Sequence, residues 1–98
     1  VDGKGVEENN EAAVKWFTLA AKQGYAQAQI NLGFLYEYGN GIARDDIRAY
    51  MWYHLSDHNG NQRSAKNKEQ IANRMTSTQI AKALKMSTRC LKSGYKHC

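Results

Sequence analysis

Shifted by 36 residues and laid on itself, the chain matches without a gap over a 22-residue window. Gly3 falls on Gly39, Gly5 on Gly41, Ala13 on Ala49, Trp16 on Trp52, Leu19 on Leu55 and Gly24 on Gly60. Val6/Ile42, Phe17/Tyr53 and Ala20/Ser56 are conservative companions. Glycine and tryptophan among the identities make chance a poor explanation. A period of this length marks a solenoid, in which each unit is a helical hairpin that buries its apolar face only by stacking on a neighbour. The residue stock agrees: there is no proline, and the abundant Ala, Lys, Gln, Leu and Arg are good helix formers. The predicted fold class is all-α, with five helices and no sheet.

Within each unit the local signals repeat. Asn9 and Asp45 stand at equivalent places, each able to cap a helix N-terminus through its side-chain oxygen. From there Ala13, Trp16, Phe17 and Ala20 recur at spacings of three and four, which is one helical face. Gly24 and Gly60 end these helices, supplying the left-handed conformation common just past a helix C-terminus. The first of them spans about Asn10 to Gln23, and Trp16 and Trp52 are expected to be equivalent buried core residues. The intervening helix runs from about Ala26 to Glu37 and is expected to bury Ala28, Leu32, Leu35 and Tyr36. Gly33 costs about 1 kcal/mol of helix propensity relative to alanine, which predicts close approach of a neighbouring helix there. The Gly3-x-Gly5 and Gly39-x-Gly41 pairs read as chain-reversing turns. They lack the lysine and strand context of a phosphate loop.

Past Gly60 the repeat fades, and two further helices are predicted. One spans about Gln62 to Arg74 with Ala65, Ile71 and Ala72 inward. The other is announced by Thr76-Ser77-Thr78-Gln79, a capping-box pattern, and carries Ile80, Ala83, Leu84, Met86, Ser87 and Leu91 to a stop at Gly94. Charge divides at the same place. Residues 1–61 hold five basic and eight acidic side chains; residues 62–98 hold nine basic side chains against Glu69 alone. A terminal pair with a solvated outer face fits the end of a solenoid. The same basic third could also draw an acidic partner.

At this point the residues carry a resemblance. Ala26-x-Ala28-Gln29-x-Asn31-Leu32-Gly33-x-x-Tyr36-x-x-Gly39-x-Gly41-Ile42-x-x-Asp45, followed by Ala49-x-x-Trp52-Tyr53, resembles a Sel-one-like repeat, a relative of the tetratricopeptide repeats. Gly3-x-Gly5-Val6 and Ala13-x-x-Trp16-Phe17-x-x-Ala20-Ala21-x-x-Gly24 are similar to the second half of a preceding unit. Met75-Thr76-x-x-Gln79-Ile80-Ala81 is similar to the closing segment of many bacterial members. The resemblance implies a right-handed α-α superhelix: residues 1–60 form one and a half repeats, and 61–98 a degenerate capping pair with a tail. It also implies an adaptor that binds a protein or peptide along its concave side. Since Val1 falls where an inter-helix loop should be under way, the chain reads as the end of a longer array. Its first helix would then present Val14, Trp16 and Phe17 for self-association or for upstream repeats.

Candidate chemistry is thin. His54, Asp57 and His58 share one helical face at i, i+3 and i+4, a spacing that can hold zinc. With no further ligand nearby in sequence, a solvated helix end is the preferred reading. No serine or cysteine has a base and an orienting group at motif spacing; no catalytic residue, metal site or cofactor is assigned. Phe34, Tyr38 and Tyr50 fall off the strongest inward face and are the candidates for a partner-binding groove, where tyrosine joins apolar area to a polar tip.

Cys90 and Cys98 are the only cysteines. Their spacing can close if the backbone reverses at Gly94, and an even count suits an oxidising compartment. The resemblance supports a disulfide, since some exported bacterial relatives carry one over the same separation; two reduced thiols in a cytoplasmic protein are the alternative. A periplasmic or secreted location is favoured. No segment approaches 18 consecutive apolar residues, so no membrane span is predicted. Binding of nucleic acid or another acidic partner through the basic third is the rival function, and a salt-steep affinity would mark it. The β-lactam binding or hydrolysis linked to some cysteine-rich relatives is a weaker rival, as no helix here contains the Ser-x-x-Lys motif of that chemistry.

Overall fold

The computed structural model describes residues 3–98, with side chains from Asn10 onward; Val1 and Asp2 lie outside the described residues. Five helices follow one another: α1 (Gly3–Ala21), α2 (Ala26–Tyr38), α3 (Asp46–His58), α4 (Arg63–Ala72) and α5 (Ser77–Lys92). There is no strand among the described residues, and none of the helices is long and apolar enough to cross a membrane. The chain is an all-α helical-repeat solenoid.

Two of the predicted caps form as read. The Asp45 carboxylate accepts the backbone N–H of Arg48 at 3.0 Å and starts α3. Thr76 and Gln79 make the reciprocal capping box that starts α5, at 3.1 and 2.9 Å. Gly24 and Gly60 both take positive φ, +87° and +99°, and close the equivalent helices.

The first unit departs from expectation at its start. α1 begins at Gly3, so Gly3-x-Gly5 is helical rather than a turn, and Asn9 lies inside the helix rather than at its cap. The reason is visible at the second copy of the pattern. Gly39 receives an arriving helix, α2, and its N–H closes back on the Leu35 carbonyl. Gly41 then lies so close to α1 that a Cβ there would stand 2.5 Å from the Asn10 carbonyl oxygen. That turn is held by the helices on either side of it.

α3 is the element on which the others converge: it packs on α2, α4 and α5, while α1 packs on α2. One core cluster joins Ala21, Ala28, Leu32, Met51, Trp52, Leu55 and Cys90, with Val14, Phe17, Leu35 and Tyr36 half-buried against it. A second joins Ile30, Ala49, Tyr50, Tyr53, Ile71 and Ala83. The inward face of α2 is thus wider than its predicted stripe. Gln29, Ile30, Gly33 and Glu37 are buried, whereas Leu35 and Tyr36 are only half-buried. Ser64 rather than Ala65 is the buried position at the start of α4. On α5, Leu84 is turned outward and Cys90 inward.

The two tryptophans are equivalent in sequence and opposite in environment. Trp52 is 3% exposed, but Trp16 is 73% exposed and Leu19 64%, which corrects the expectation that both tryptophans are buried. α3 lies within a shell of helices, and α1 is backed by α2 on one side. Truncation should therefore separate them. Trp52→Ala should cost about 3–5 kcal/mol, and Trp16→Ala less than about 1 kcal/mol, as read by urea unfolding of each variant. Equal costs would mean that α1 is covered.

Candidate partner-binding groove

Gly33 on α2 is buried, and a Cβ placed there would stand 2.5 Å from Cε1 and 2.6 Å from Cδ1 of Tyr53. The bare backbone is what lets the Tyr53 ring of α3 lie against α2, as the sequence predicted of some neighbouring helix. The next residue, Phe34, meets that ring edge-on, centroids 5.8 Å apart and planes at 77°. Tyr38, one turn on, stacks with Phe34 at 6.4 Å and 20°. Phe34 is 37% exposed and Tyr38 64%. The outer face of α2 thus presents an aromatic pair whose inner end rests on the core.

Beside this pair a groove of about 220 Å³ runs between α2 and α4, lined by Gln27, Ile30, Asn31, Phe34, Arg63 and Asn67. Arg63 reaches across it to the Gln27 side-chain oxygen at 3.4 Å, and Gln27 donates to Asn31 at 3.3 Å. An apolar floor with amide and guanidinium groups at its rim can take both the side chains and the backbone of an extended peptide. Of the three aromatics named from sequence, the structure brings Phe34 and Tyr38 together here. Tyr50 is not with them: it is 8% exposed and belongs to the second core cluster. Ile71 and Ala83 belong to the same cluster, and packing from α4 and α5 closes over a position that α3 alone would leave outside.

At the C-terminal ends of α2 and α4 lies a polar network that the sequence did not reveal. The Tyr53 hydroxyl donates to Glu37 Oε1 at 2.6 Å, and Arg74 Nη2 donates to Glu37 Oε2 at 3.2 Å. Arg74 also grips Asp46 through Nε and Nη2, both at 3.1 Å. One guanidinium therefore ties the end of α4 to the end of α2 and the start of α3. Burial, and then the bond to Glu37, pushes the Tyr53 phenol far above its ordinary range. The hydrogen bond from Arg74 holds the Asp46 carboxyl below the usual carboxylate range, and the same bond raises Arg74. By residue type Glu37 does not differ from a solvated helix charge, and its partner Arg74 is remote in sequence. The available signal was Tyr53 in place of the Phe17 of the first unit, a hydroxyl that needs an acceptor once the ring is buried.

The other sequence-level candidates resolve differently. Lys68 Nζ sits between His54 Nδ1 at 3.2 Å and Asp57 Oδ2 at 3.3 Å, where a shared cation would stand. Burial, and then Lys68, lowers the His54 imidazole below its usual range. Among the described residues no three His, Cys, Asp or Glu side chains are grouped for a metal. Cys90 and Cys98 are joined, Cα atoms 4.5 Å apart, by a tail that reverses through Gly94 and Tyr95, both at positive φ. Asn59 donates to both the Tyr95 hydroxyl and Gln29 Oε1, each at 2.9 Å. A Ser-x-x-Lys sequence does occur across this reversal, Ser93-Gly94-Tyr95-Lys96. The Ser93 hydroxyl is engaged within the turn, donating to the Cys90 carbonyl and accepting from the His97 N–H, both at 2.9 Å.

Helical hairpins recurring at a fixed period, with a groove between successive first helices, define an α-helical repeat protein of the tetratricopeptide-like type. The Sel1 repeat profile matches residues 1–25 and 26–56, and the chain belongs to that family. It is similar to chitin synthase regulatory factor 3 of Schizosaccharomyces pombe, 44% identical over 47% of this chain and 5% of that protein. It is also similar to the chitin synthase regulator SKT5 of Saccharomyces cerevisiae, 34% identical over 59% of this chain and 8% of that protein. The human protein sel-1 homolog 2 is 41% identical over 58% of this chain and 8% of its own length. The chain thus spans less than a tenth of the length of these relatives. Among solved structures, a protective antigen of uropathogenic Escherichia coli with an SLR fold superposes with a TM-score of 0.82. That match covers 88% of this chain and 20% of the antigen, at 27% identity.

Proposed function

We propose that the chain is a non-catalytic protein-interaction module that holds an extended segment of a partner protein in the groove between α2 and α4. The observation that carries this reading is the exposed Phe34–Tyr38 stack, anchored on Tyr53 and bordered by polar groups. Surface aromatics with a rigid backing are the side chains on which interface energy usually concentrates. The names of two fungal relatives, a regulatory factor and a regulator, support a role in which binding is the activity. The test is a Phe34→Ser/Tyr38→Ser variant of the protein, compared with the unaltered one in co-precipitation from its native extract. The expected result is loss of specific protein partners, with the melting temperature within about 5 °C of the original. Partners retained by the folded variant would overturn the reading.

The exposed face of α1 supports a second, separate contact. We propose that Trp16 and Leu19, 73% and 64% exposed, receive either a further helical repeat or a second copy of this chain. A contiguous apolar patch on a helix that is otherwise packed marks a contact surface. Sedimentation of the isolated chain should show association growing with concentration, abolished by Trp16→Ser. A strict monomer at every concentration would refute self-association.

For location we propose an oxidising compartment, periplasmic or secreted, on the support of the Cys90–Cys98 bridge. Mass spectrometry of alkylated protein from its native source should find neither cysteine modified. Two alkylated thiols would instead favour the cytoplasm.

A further inference from the structure

Away from the groove, four separate segments deliver basic side chains to one cleft of about 330 Å³. Lys22 comes from the turn after α1, Arg48 from the first turn of α3, Arg89 from α5, and Lys96 and His97 from the C-terminal tail. Met86 and Cys98 complete the lining, and among the described residues no acidic side chain contributes to it. The acids of the described residues are mostly engaged elsewhere: Glu37 and Asp46 with Arg74, Asp57 with Lys68. Among the described residues, Arg48 alone of these cations has an ion-pair partner, Asp45 at 3.3 Å from its Nε, and a guanidinium has further N–H donors to offer. Like charges gathered from distant parts of a chain repel one another, and the field they focus in a concavity favours an anion there.

We infer that this cleft binds a compact oxyanion carrying two or more negative charges, of the kind presented by phosphate esters and polycarboxylates. Its volume lies at the lower end of small-ligand pockets, about 300–1,000 Å³. The two arginines match planar or tetrahedral oxyanions through paired N–H donors, and the lysines add point charge. The disulfide is part of the site. Lys96 and His97 immediately precede Cys98, and the bridge to Cys90 is the covalent tie that holds this end of the tail against α5. Oxyanion binding and the redox state of the cysteines are thereby linked.

The test is a titration of the oxidised chain with inorganic pyrophosphate and, separately, citrate, followed by ¹⁵N–¹H NMR. Saturable shifts are expected at Lys22, Arg89, Lys96 and His97, with a dissociation constant of about 1 mM or tighter for at least one probe. The tighter probe identifies the phosphate or the carboxylate source. Lys22→Ala/Arg89→Ala should weaken binding at least ~10-fold. Lys66→Ala/Lys82→Ala removes the same charge outside the cleft and should change binding less than about twofold. Equal weakening by both double variants, or no saturation by about 10 mM, would overturn the site. Cys98→Ser, checked for native helicity by circular dichroism, should weaken binding about as much as the cleft variant. Undiminished binding there would overturn the link to the disulfide.

Discussion

The contact on which the rest of the molecule turns is the ring of Tyr53 lying against the bare backbone of Gly33. A methyl group at position 33 would occupy the space of the ring and force α2 and α3 apart. Because the ring can approach, its hydroxyl reaches Glu37, and Glu37 in turn receives Arg74 from the end of α4. Arg74 grips Asp46 at the start of α3 and so fastens the degenerate terminal pair to the intact repeat. A buried carboxylate is costly unless it is fully partnered. Here both Glu37 oxygens have donors, and the arrangement specifies how the three helices meet. Phe34 takes its orientation from the same ring, so the surface of the groove inherits its rigidity from the core.

α3 has a packing partner on every side, and this asymmetry explains why two copies of one pattern behave differently. Trp52 is enclosed, whereas Trp16 faces outward. Polar ties do comparable work at the other end of the bundle. Gln29 is fully buried, donates to the Ala21 carbonyl at 3.0 Å and accepts from Asn59. Asn59 also holds the Tyr95 hydroxyl, so one amide joins the α1–α2 connection to the tail closed by Cys90 and Cys98. The tail is consequently a fixed element, which is why its cations can be counted in a site.

The two candidate sites differ in chemistry as well as in place. The α2–α4 groove combines aromatic area with side-chain amides and the one guanidinium of Arg63, so salt should act on the proposed peptide contact only weakly. The cleft at the tail is dominated by charge, and screening by salt would act on it directly. Five basic side chains of the C-terminal third have distinct settings. Arg63 borders the groove, Lys68 and Arg74 are engaged in ion pairs, and Arg89 and Lys96 join residues from the N-terminal part in the cleft.

The sequence by itself determined the period, the number of helices and most of their ends. These depend on local chemistry: a carboxylate at Asp45, a reciprocal pair at Thr76 and Gln79, glycines that accept positive φ, and no proline anywhere. It also marked Gly33 as a close approach, because a helix retains a glycine against propensity only when something occupies the space of its side chain. Partners distant in sequence were beyond it. Glu37 and Arg74 are indistinguishable from solvated helix charges until folding places them together, and Tyr50 looked outward until α4 and α5 closed over it. The start of α1 failed for the same reason in reverse. Gly39–Gly41 is a turn because α2 arrives there and α1 lies against it, whereas the identical residues Gly3 and Gly5 lie within α1. The tail cleft lies furthest from local rules, since Lys22, Arg48, Arg89 and Lys96 share a site only through the tertiary fold. Side-chain type and spacing decide where a helix forms; which faces meet, and hence which charges and rings share a site, is decided by packing among elements that the sequence lists far apart.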